Sequence, residues 1–465
     1  MMSEFDVIIV GAGPAGMSAA ATIAHAGLEV LLLDEQPRAG GQVYRNVGEN
    51  RERRSWLGKD YACGARLVDA LDHPNIQTQF GATVWRLEKG PSVVWSRDGI
   101  SHIAKAPHVL LAGGAQERPV PFPGWTLPGV MTAGSAQILM KTSGMLPKDA
   151  VLAGSGPLLY LVAAQMIDAG NPPKALVETQ TSRMMLNALR HLPKALFAAR
   201  TLLKGLGLIR KIRTAGVPRF TGTKQFQAQT DANGSISFSF NHKGKRKTLS
   251  TGLLLTHQGV IPSTHMSRSV GMEHTWNTTQ LAFQPVTDAW GGTNVPGLHV
   301  AGDGASIGGA ETAVASGELA AWNILQQIGH INSRTCEQLA SSARRTLFRS
   351  RAIRPFLDAA YAPPKEFLSP DDATIVCRCE EITAGEIRKS ISEEGVSGHR
   401  QIKTSLRTGM GPCQGRMCDA TVRGILCDTS SQDVASIPAP RARTPIKPIT
   451  LEELATITPT QEKQA

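Results

Sequence analysis

The chain has 465 residues, with 49 Lys and Arg against 38 Asp and Glu and a formal charge of +11. That length predicts about three domains, and 46 glycines with only 5% aromatic residues favour a nucleotide-binding α/β protein over a β-sandwich. The positive charge is compatible with nucleic acid, anionic headgroups or an acidic partner, but no RNA- or DNA-binding signature accompanies it, which argues against nucleic acid.

The start, Met1-Met2-Ser3-Glu4-Phe5-Asp6, is acidic, and the apolar run after it breaks at Gly11, unlike a secretory leader. No uninterrupted apolar stretch is long enough to span a bilayer. Seven cysteines form an odd set with four clustered, which fits a reducing cytoplasm and a metal site better than a disulfide framework. The expectation is a cytoplasmic protein.

Phe5–Val10 reads as a buried strand, followed by Gly11-Ala-Gly13-Pro14-Ala15-Gly16, a small-residue helix to His25, and a second strand ending at Asp34. In this βαβ opening the first glycine makes the tight turn and the second admits a pyrophosphate. The third lets helix and strand pack closely, and the helix N-terminus faces the phosphates. Asp34 is placed to accept from ribose hydroxyls. A strand runs into Ala112-Gly113-Gly114. A second unit opens at Ala150, carries Gly154-Ser-Gly156-Pro-Leu-Leu159, and ends a strand at Glu178. Leu159 stands where the third glycine belongs, so a working nucleotide site and a packing-only relic are both open readings. Later, Leu298–Val300 leads into Ala301-Gly302-Asp303.

The order of these motifs, with Gly40-Gly41-Gln42 between them, resembles the two-dinucleotide flavoprotein reductases. The resemblance implies a glutathione-reductase-like, Rossmann-type α/β fold. Its discontinuous FAD domain covers 1–145 and 271–330, with a nicotinamide-type nucleotide domain inserted at 146–270. It also implies FAD contacts at Gly11, Gly13, Pro14, Ala15, Gly16, Asp34, Glu35, Gly41, Gln42, Ala112, Gly113, Gly114, Gly302 and Asp303, with Val84 against the adenine through its backbone. Gly154, Gly156 and Glu178 would serve the second nucleotide, NAD or another adenine nucleotide. No redox cysteine pair lies beside the flavin motifs, since Cys63 is alone, which argues against disulfide reduction.

A small domain, 372–430, carries Cys377-Arg-Cys379 and, with 33 residues between, Cys413-Gln-Gly-Arg-Met-Cys418. Thiolates select zinc, copper(I) or iron–sulfur centres; zinc pairs usually take CxxC spacing, so zinc stays open but fits less well. Thr383 with Glu386 has the capping-box pattern of a helix start, and a second helix is expected after Cys418. Two short helices with ligand loops form little core, so folding should depend on the metal. The spacing resembles the bacterioferritin-associated-ferredoxin type of [2Fe–2S] domain, which implies Cys377, Cys379, Cys413 and Cys418 as ligands. Gly-Met-Gly-Pro-Cys-Gln-Gly-Arg-Met-Cys is similar, more narrowly, to one subunit of bacterial hetero-oligomeric amine dehydrogenases. These include opine oxidase, hydroxyproline dehydrogenase and hydrogen cyanide synthase, with the large sarcosine oxidase subunit more distant.

Residues 184–213 carry seven basic residues, no acid, and apolar residues at roughly helical spacing, with Pro193 expected to split them into two helices. A surface helix pair, a subunit contact and a membrane-surface contact are the readings; the last would place the protein peripherally on the inner face of the cell membrane. The Arg-rich stretch Arg344 to Arg354, within a basic linker at 331–371 that joins the flavin and cluster domains, reads as a solvated helix face, with contact to an acidic partner as the alternative. His299 reads as a packed histidine. The prolines after 430 predict an extended arm, 431–465, that wraps another surface and frays at its end.

The family resemblance implies a division of labour. A partner subunit with its own FAD, similar to amino-acid oxidases, would oxidise a C–N bond. This chain would relay electrons through flavin and the [2Fe–2S] cluster to a quinone or other respiratory acceptor. An FMN at the subunit interface and a small third subunit belong to the same expectation. The alternatives are a self-contained NADH-dependent reductase and a non-catalytic scaffold stabilised by nucleotide.

Overall fold

The computed structural model describes residues 5–457. Residues 1–4 of the acidic start and 458–465, the end of the arm, lie outside the described residues.

Five parallel strands form the first sheet, in the order Leu298–Val300, His108–Leu111, Val7–Val10, Val30–Asp34, Ile76–Phe80. Val7–Val10 is buried along its whole length, as expected of a strand covered on both faces. Helix Pro14–His25 lies on one face and packs against helix Ala310–Gln327. The approach is close enough that a Cβ at Gly317 would strike the Ala15 carbonyl. The other face is covered by the antiparallel sheet of Thr83–Glu88, Ser92–Arg97 and Ile100–Lys105, through Val84, Leu87, Val93 and Trp95.

The second sheet is also parallel, in the order Arg219–Thr221, Ala175–Glu178, Ala150–Ser155, Leu253–Gln258, Val130–Thr132. This corrects the expected boundary. Val130–Thr132 and helix Ala133–Thr142, assigned from the sequence to the FAD unit, belong to the inserted unit. The pairing of Val130 with Leu254 joins segments more than 120 residues apart, which no local pattern announces.

The expected linker at 331–371 is not a linker. Helix Ser333–Ala352 buries Ala340, Ala343 and Leu347 against Ala315 and Leu319 of the first unit. Helix Arg354–Ala360 packs beside Ser182–Leu189. Residues 184–213 form helices Ser182–Leu189, Leu192–Ala195 and Ala199–Thr214, with Pro193 in the first turn of the middle one, where a missing N–H costs nothing.

The C-terminal domain has three helices, Ala384–Glu393, His399–Leu406 and Asp419–Ser430, one more than expected. Thr383 and Glu386 form the capping box. The domain does have a core: Val376, Ile387, Ile402, Val422, Ile425 and Leu426 are buried together. Its anchor is Arg423, fully buried, which donates to the carbonyls of Val434, Ile437 and Pro438. The guanidinium also lies 4.4 Å from the Phe283 ring centroid, so the cation is held by carbonyls and an aromatic face rather than by a carboxylate alone. After Pro438 the arm crosses the first unit. Ile446 is buried and its N–H donates to the Trp85 carbonyl, and Lys447 pairs with Glu35 at 2.6 Å.

Candidate flavin cradle and cluster site

The residues expected around FAD converge at the carboxyl ends of the first sheet, where the strand order reverses on either side of Val7–Val10, the position at which doubly wound sheets bind ligands. Gly11 has φ +110°, and a Cβ there would lie 2.5 Å from the Ala112 carbonyl oxygen. A Cβ at Gly16 would overlap the Gly11 carbonyl, so the helix can sit this close only with glycine. Gly13 caps helix Pro14–His25 without a side-chain hydrogen bond, and the first turn holds no acid. Its free N–H groups and dipole therefore face an opening suited to an anion. Gly41 packs against Gly13, while Gly113 and Gly114 face open space.

Several of these residues do more than line the opening. Asp34 Oδ2 accepts from Ala12 N at 2.6 Å and Oδ1 from Gln36 N at 2.8 Å, so the acid shapes the turn. Burial raises its pKa against those two bonds, and each oxygen keeps a lone pair for a ribose hydroxyl. Ala82 N donates to Asp34 O, which brings Val84 beside the end of the second strand. Glu35 is turned to Lys447. The Gln42 side chain donates to Ala115 O at 2.9 Å, and Asp303 Oδ1 accepts from Gly308 N and Gly309 N, closing the loop before helix Ala310–Gln327. The cradle fits a dinucleotide pyrophosphate, with Gly302 adjoining Ala15 across it.

The second fingerprint differs. Gly154 and Gly156 have φ +132° and +112°, and a Cβ at Gly154 would collide with the His257 carbonyl. Leu159 is fully buried. Glu178, expected to hold a ribose, has no exposure at all. Arg219 donates to both its oxygens at 2.8 Å, Tyr160 Oη donates at 2.6 Å, and Gln180 Nε2 at 2.5 Å. The ribose role assigned to Glu178 is therefore corrected: the carboxylate is spent on the arginine that the neighbouring strand supplies. Desolvation beside Glu178 pushes the Tyr160 phenol far up, so Tyr160 stays a donor.

The four cysteines come together as two pairs. Cys377 with Cys418, and Cys379 with Cys413, lie within hydrogen-bonding reach of each other. The bond from Cys418 draws the Cys377 thiol down to about 6 against desolvation, helped by backbone N–H groups of Gly409, Glu380 and Cys379. A Cβ at Gly411 would lie 3.1 Å from Cys379 Sγ, so the Gly-Met-Gly-Pro phrase keeps the loop clear of the ligand. Among the described residues no three metal-ligating side chains converge on one point. Two thiol pairs with N–H donors would suit a binuclear iron–sulfur centre better than a single four-coordinate zinc.

The rest of the chain grips both ligand segments, the inserted unit's core through Trp125 and the strand and helix beside the cradle through Gln116, His265 and Arg268. Trp125 Nε1 donates to Ile375 O at 2.7 Å, Gln116 Nε2 to Arg416 O at 2.9 Å, and His265 Nε2 to Gln414 O at 2.8 Å. Arg268 reaches Asp419 at 3.4 Å, and His399 Nε2 lies 2.9 Å from the same carboxylate without hydrogen-bond alignment. None of Gln116, Trp125, His265 or Arg268 stands out in the sequence; each is one residue without periodicity, and only Gln116, two positions past Gly114, sits near a recognised motif.

The pyridine nucleotide-disulphide oxidoreductase model matches residues 5–317, and the BFD-like [2Fe-2S] binding domain model matches 375–427. The chain belongs to the pyridine nucleotide-disulphide oxidoreductase family. Within it, the chain is 43% identical to an opine oxidase subunit from Rhizobium meliloti, over 97% of this chain and 87% of that one. It is 32% identical to the HcnB subunit of hydrogen cyanide synthase from Pseudomonas protegens, over 96% of each chain. Among solved structures, L-proline dehydrogenase from P. horikoshii shares the fold, with a TM-score of 0.70 at 19% identity, covering 97% of this chain and 79% of that one. The family membership implies FAD, and the BFD-like domain implies a [2Fe–2S] cluster. The protein is thus a flavin and iron–sulfur subunit of an oxidoreductase of the opine oxidase and hydrogen cyanide synthase group.

Proposed function

We propose that this chain is the electron-relay subunit of an enzyme whose partner, an FAD-containing amino-acid-oxidase-like subunit, oxidises a C–N bond in an amino acid or opine. The observation that supports this reading is that the Cys413–Cys418 loop is held by Gln116 and His265 directly beside the flavin cradle, which would set a one-electron carrier next to a two-electron carrier. FAD takes electrons in pairs and the cluster passes them singly. The chain's own residues do the rest. The Gly11–Gly16 turn receives the pyrophosphate, Asp34 orients the ribose, and the N–H groups of Gly409 and Glu380 stabilise ligand charge. Electrons would leave to a respiratory quinone, and an FMN at the subunit interface and a small third subunit belong to the same proposal.

Co-expression with the gene product of the adjacent reading frame tests it. Octopine, nopaline, hydroxyproline, glycine and sarcosine, supplied to the purified complex, should bleach the flavin and reduce the cluster with one of them. A complex that turns over at full rate after Cys413→Ser, with normal assembly, would favour the scaffold reading. The self-contained NADH reductase is disfavoured by the buried, arginine-paired Glu178; rapid flavin bleaching by NADH in the isolated chain would revive it.

The peripheral membrane position rests on one surface. Phe197 and Phe348 meet edge-on at 5.6 Å, bringing the two basic stretches together, with Leu196, Leu203 and Leu206 exposed nearby in sequence. Arg344, Arg345 and Arg349 line the same hollow as these two rings. No helix among the described residues is long and apolar enough to cross a membrane. Such a basic, apolar face suits anionic headgroups, and flotation with phosphatidylglycerol vesicles that leaves the protein behind at low salt would reject it.

A further inference from the structure

Ala115–Glu117 is a three-residue strand that begins where the flavin cradle ends. Its first residue follows Gly114, whose carbonyl accepts from Ser263 N at 3.0 Å, and the Ala115 carbonyl accepts from Gln42 of the cradle. It pairs antiparallel with Val260–Pro262, so Gln116 stands opposite Ile261 and Ala115 opposite Pro262. Past Pro262 the chain turns into helix His265–Ser269. The two-stranded strut and the helix that follows it therefore project Gln116 and His265 onto one short stretch of the cluster loop.

Both contacts are directional. Gln116 Nε2 donates to the Arg416 carbonyl, and His265 Nε2 donates to the Gln414 carbonyl. These carbonyls lie between Cys413 and Cys418, so the loop is held from both sides of Gly415. His265 is buried, and Arg268 Nη2 lies 3.3 Å from its Nδ1. A guanidinium can only donate, so Nδ1 accepts and the ring is the neutral Nε2–H tautomer that the Gln414 bond requires. From Gly114 the covalent and hydrogen-bonded path to Cys418 is short: Ala115, Gln116, the Arg416 carbonyl, Met417.

Resting on the relay reading above, we infer that Gln116 and His265 are positioning residues for electron transfer. They hold the Cys413–Cys418 loop against the flavin cradle, and so set the rate at which one electron leaves the reduced FAD and enters the oxidised cluster. One carrier loses one electron, the other gains one, and no group is transferred.

The holo chain, with its FAD reduced by a laser flash in the presence of EDTA as electron donor, reports the transfer as bleaching of cluster absorbance. Gln116→Leu and His265→Leu should each slow that phase by at least about tenfold, equivalent to 1.4 kcal/mol in barrier. FAD, iron and acid-labile sulfide should stay at wild-type content. His265→Gln, which restores a donor, should recover a rate within about threefold of wild type. Leucine variants that transfer at the wild-type rate overturn the inference. Leucine variants that lose iron overturn it as well, because the residues would then hold the cluster rather than its placement. A wild-type chain in which the flavin reduces and the cluster never does would instead remove the relay reading itself.

Discussion

At the scale of single residues, the cluster site and Lys141 make opposite use of burial. Cys377 and Cys418 are buried beside each other, and a thiolate at Cys377 is tolerated because the Cys418 thiol donates to it, with backbone N–H groups adding. Replacing Cys418 with Ser should abolish acid-labile sulfide and destabilise residues 375–437, while FAD content holds; sulfide and flavin assays on the same sample check this. Lys141 is buried with no carboxylate: Nζ donates to Gln42 O and Gln137 Oε1, both at 2.9 Å. Desolvation, with Arg45 adding, pulls its pKa down to about 7. A lysine with a folded pKa below its unfolded value near 10.4 destabilises the fold fully at low pH, and that cost is relieved as pH rises from about 7 towards 10. Unfolding midpoints of the FAD-free chain should therefore climb over that interval relative to Lys141→Met, by something on the order of 3–4 kcal/mol. Parallel pH profiles of the two proteins would contradict it. Two buried histidines carry the same sign in a more acidic window. His274 and His299 are held down to about 4 by burial, with Arg268 and His108 adding repulsion. The unfolded chain therefore binds more protons between about pH 6.5 and 4, and stability conferred by the neutral rings is lost as pH falls through that window. His299→Gln should show a shallower acid limb in a urea titration. The packed role expected for His299 agrees with its burial against His108 at 3.1 Å. The cysteine pattern was legible because metal spacing is local; Lys141, Gln116 and His265 were not, because what marks them is who stands opposite in space.

At the scale of elements, strand–turn–helix units read well and their partners did not. Val7–Val10, the glycine turn and Pro14–His25 announce themselves through burial runs and a proline at the first helical position. Gly16→Ala should cost about 1–3 kcal/mol of stability through overpacking against the Gly11 carbonyl. It should also empty the cradle, giving protein that purifies colourless at the flavin bands yet brown from the cluster; full flavin content would count against the cradle as drawn. The second unit carries the same signature, Gly154, Gly156 and an acid after the strand, and yet Glu178 is closed by Arg219. Residue 219 comes from a strand 41 residues downstream, so the difference between an open and a filled acid is invisible in the motif. The sequence also placed Val130–Thr132 in the wrong unit for the same reason: parallel pairing is decided by distant segments.

At the scale of the whole molecule, the units are interlocked rather than strung together. Helix Ser333–Ala352 is part of the first unit, Arg423 ties the cluster domain to the hairpin that bears Phe283, and the arm returns to the first unit at Trp85 and Glu35. The arm was anticipated as a wrap on another surface; the surface is the chain's own. Removing residues 441–465 should lower stability by roughly 2–3 kcal/mol, mostly from the buried Ile446. The Lys447–Glu35 pair, half exposed, adds under about 1 kcal/mol. Equal denaturant midpoints for the full and shortened chains would show that the arm carries no stability. The arm also fixes an order of events during synthesis. Trp85 leaves the ribosome long before Ile446, and at roughly 5–20 residues per second the delay is on the order of half a minute. For that time the edge beside Asp34 and Glu35 is uncovered in the nascent protein. FAD can enter once Leu298–Val300 and helix Ala310–Gln327 complete the cradle, while its cover is still being translated, and closure becomes the last act of maturation, completed only by a chain that has also finished its cluster domain.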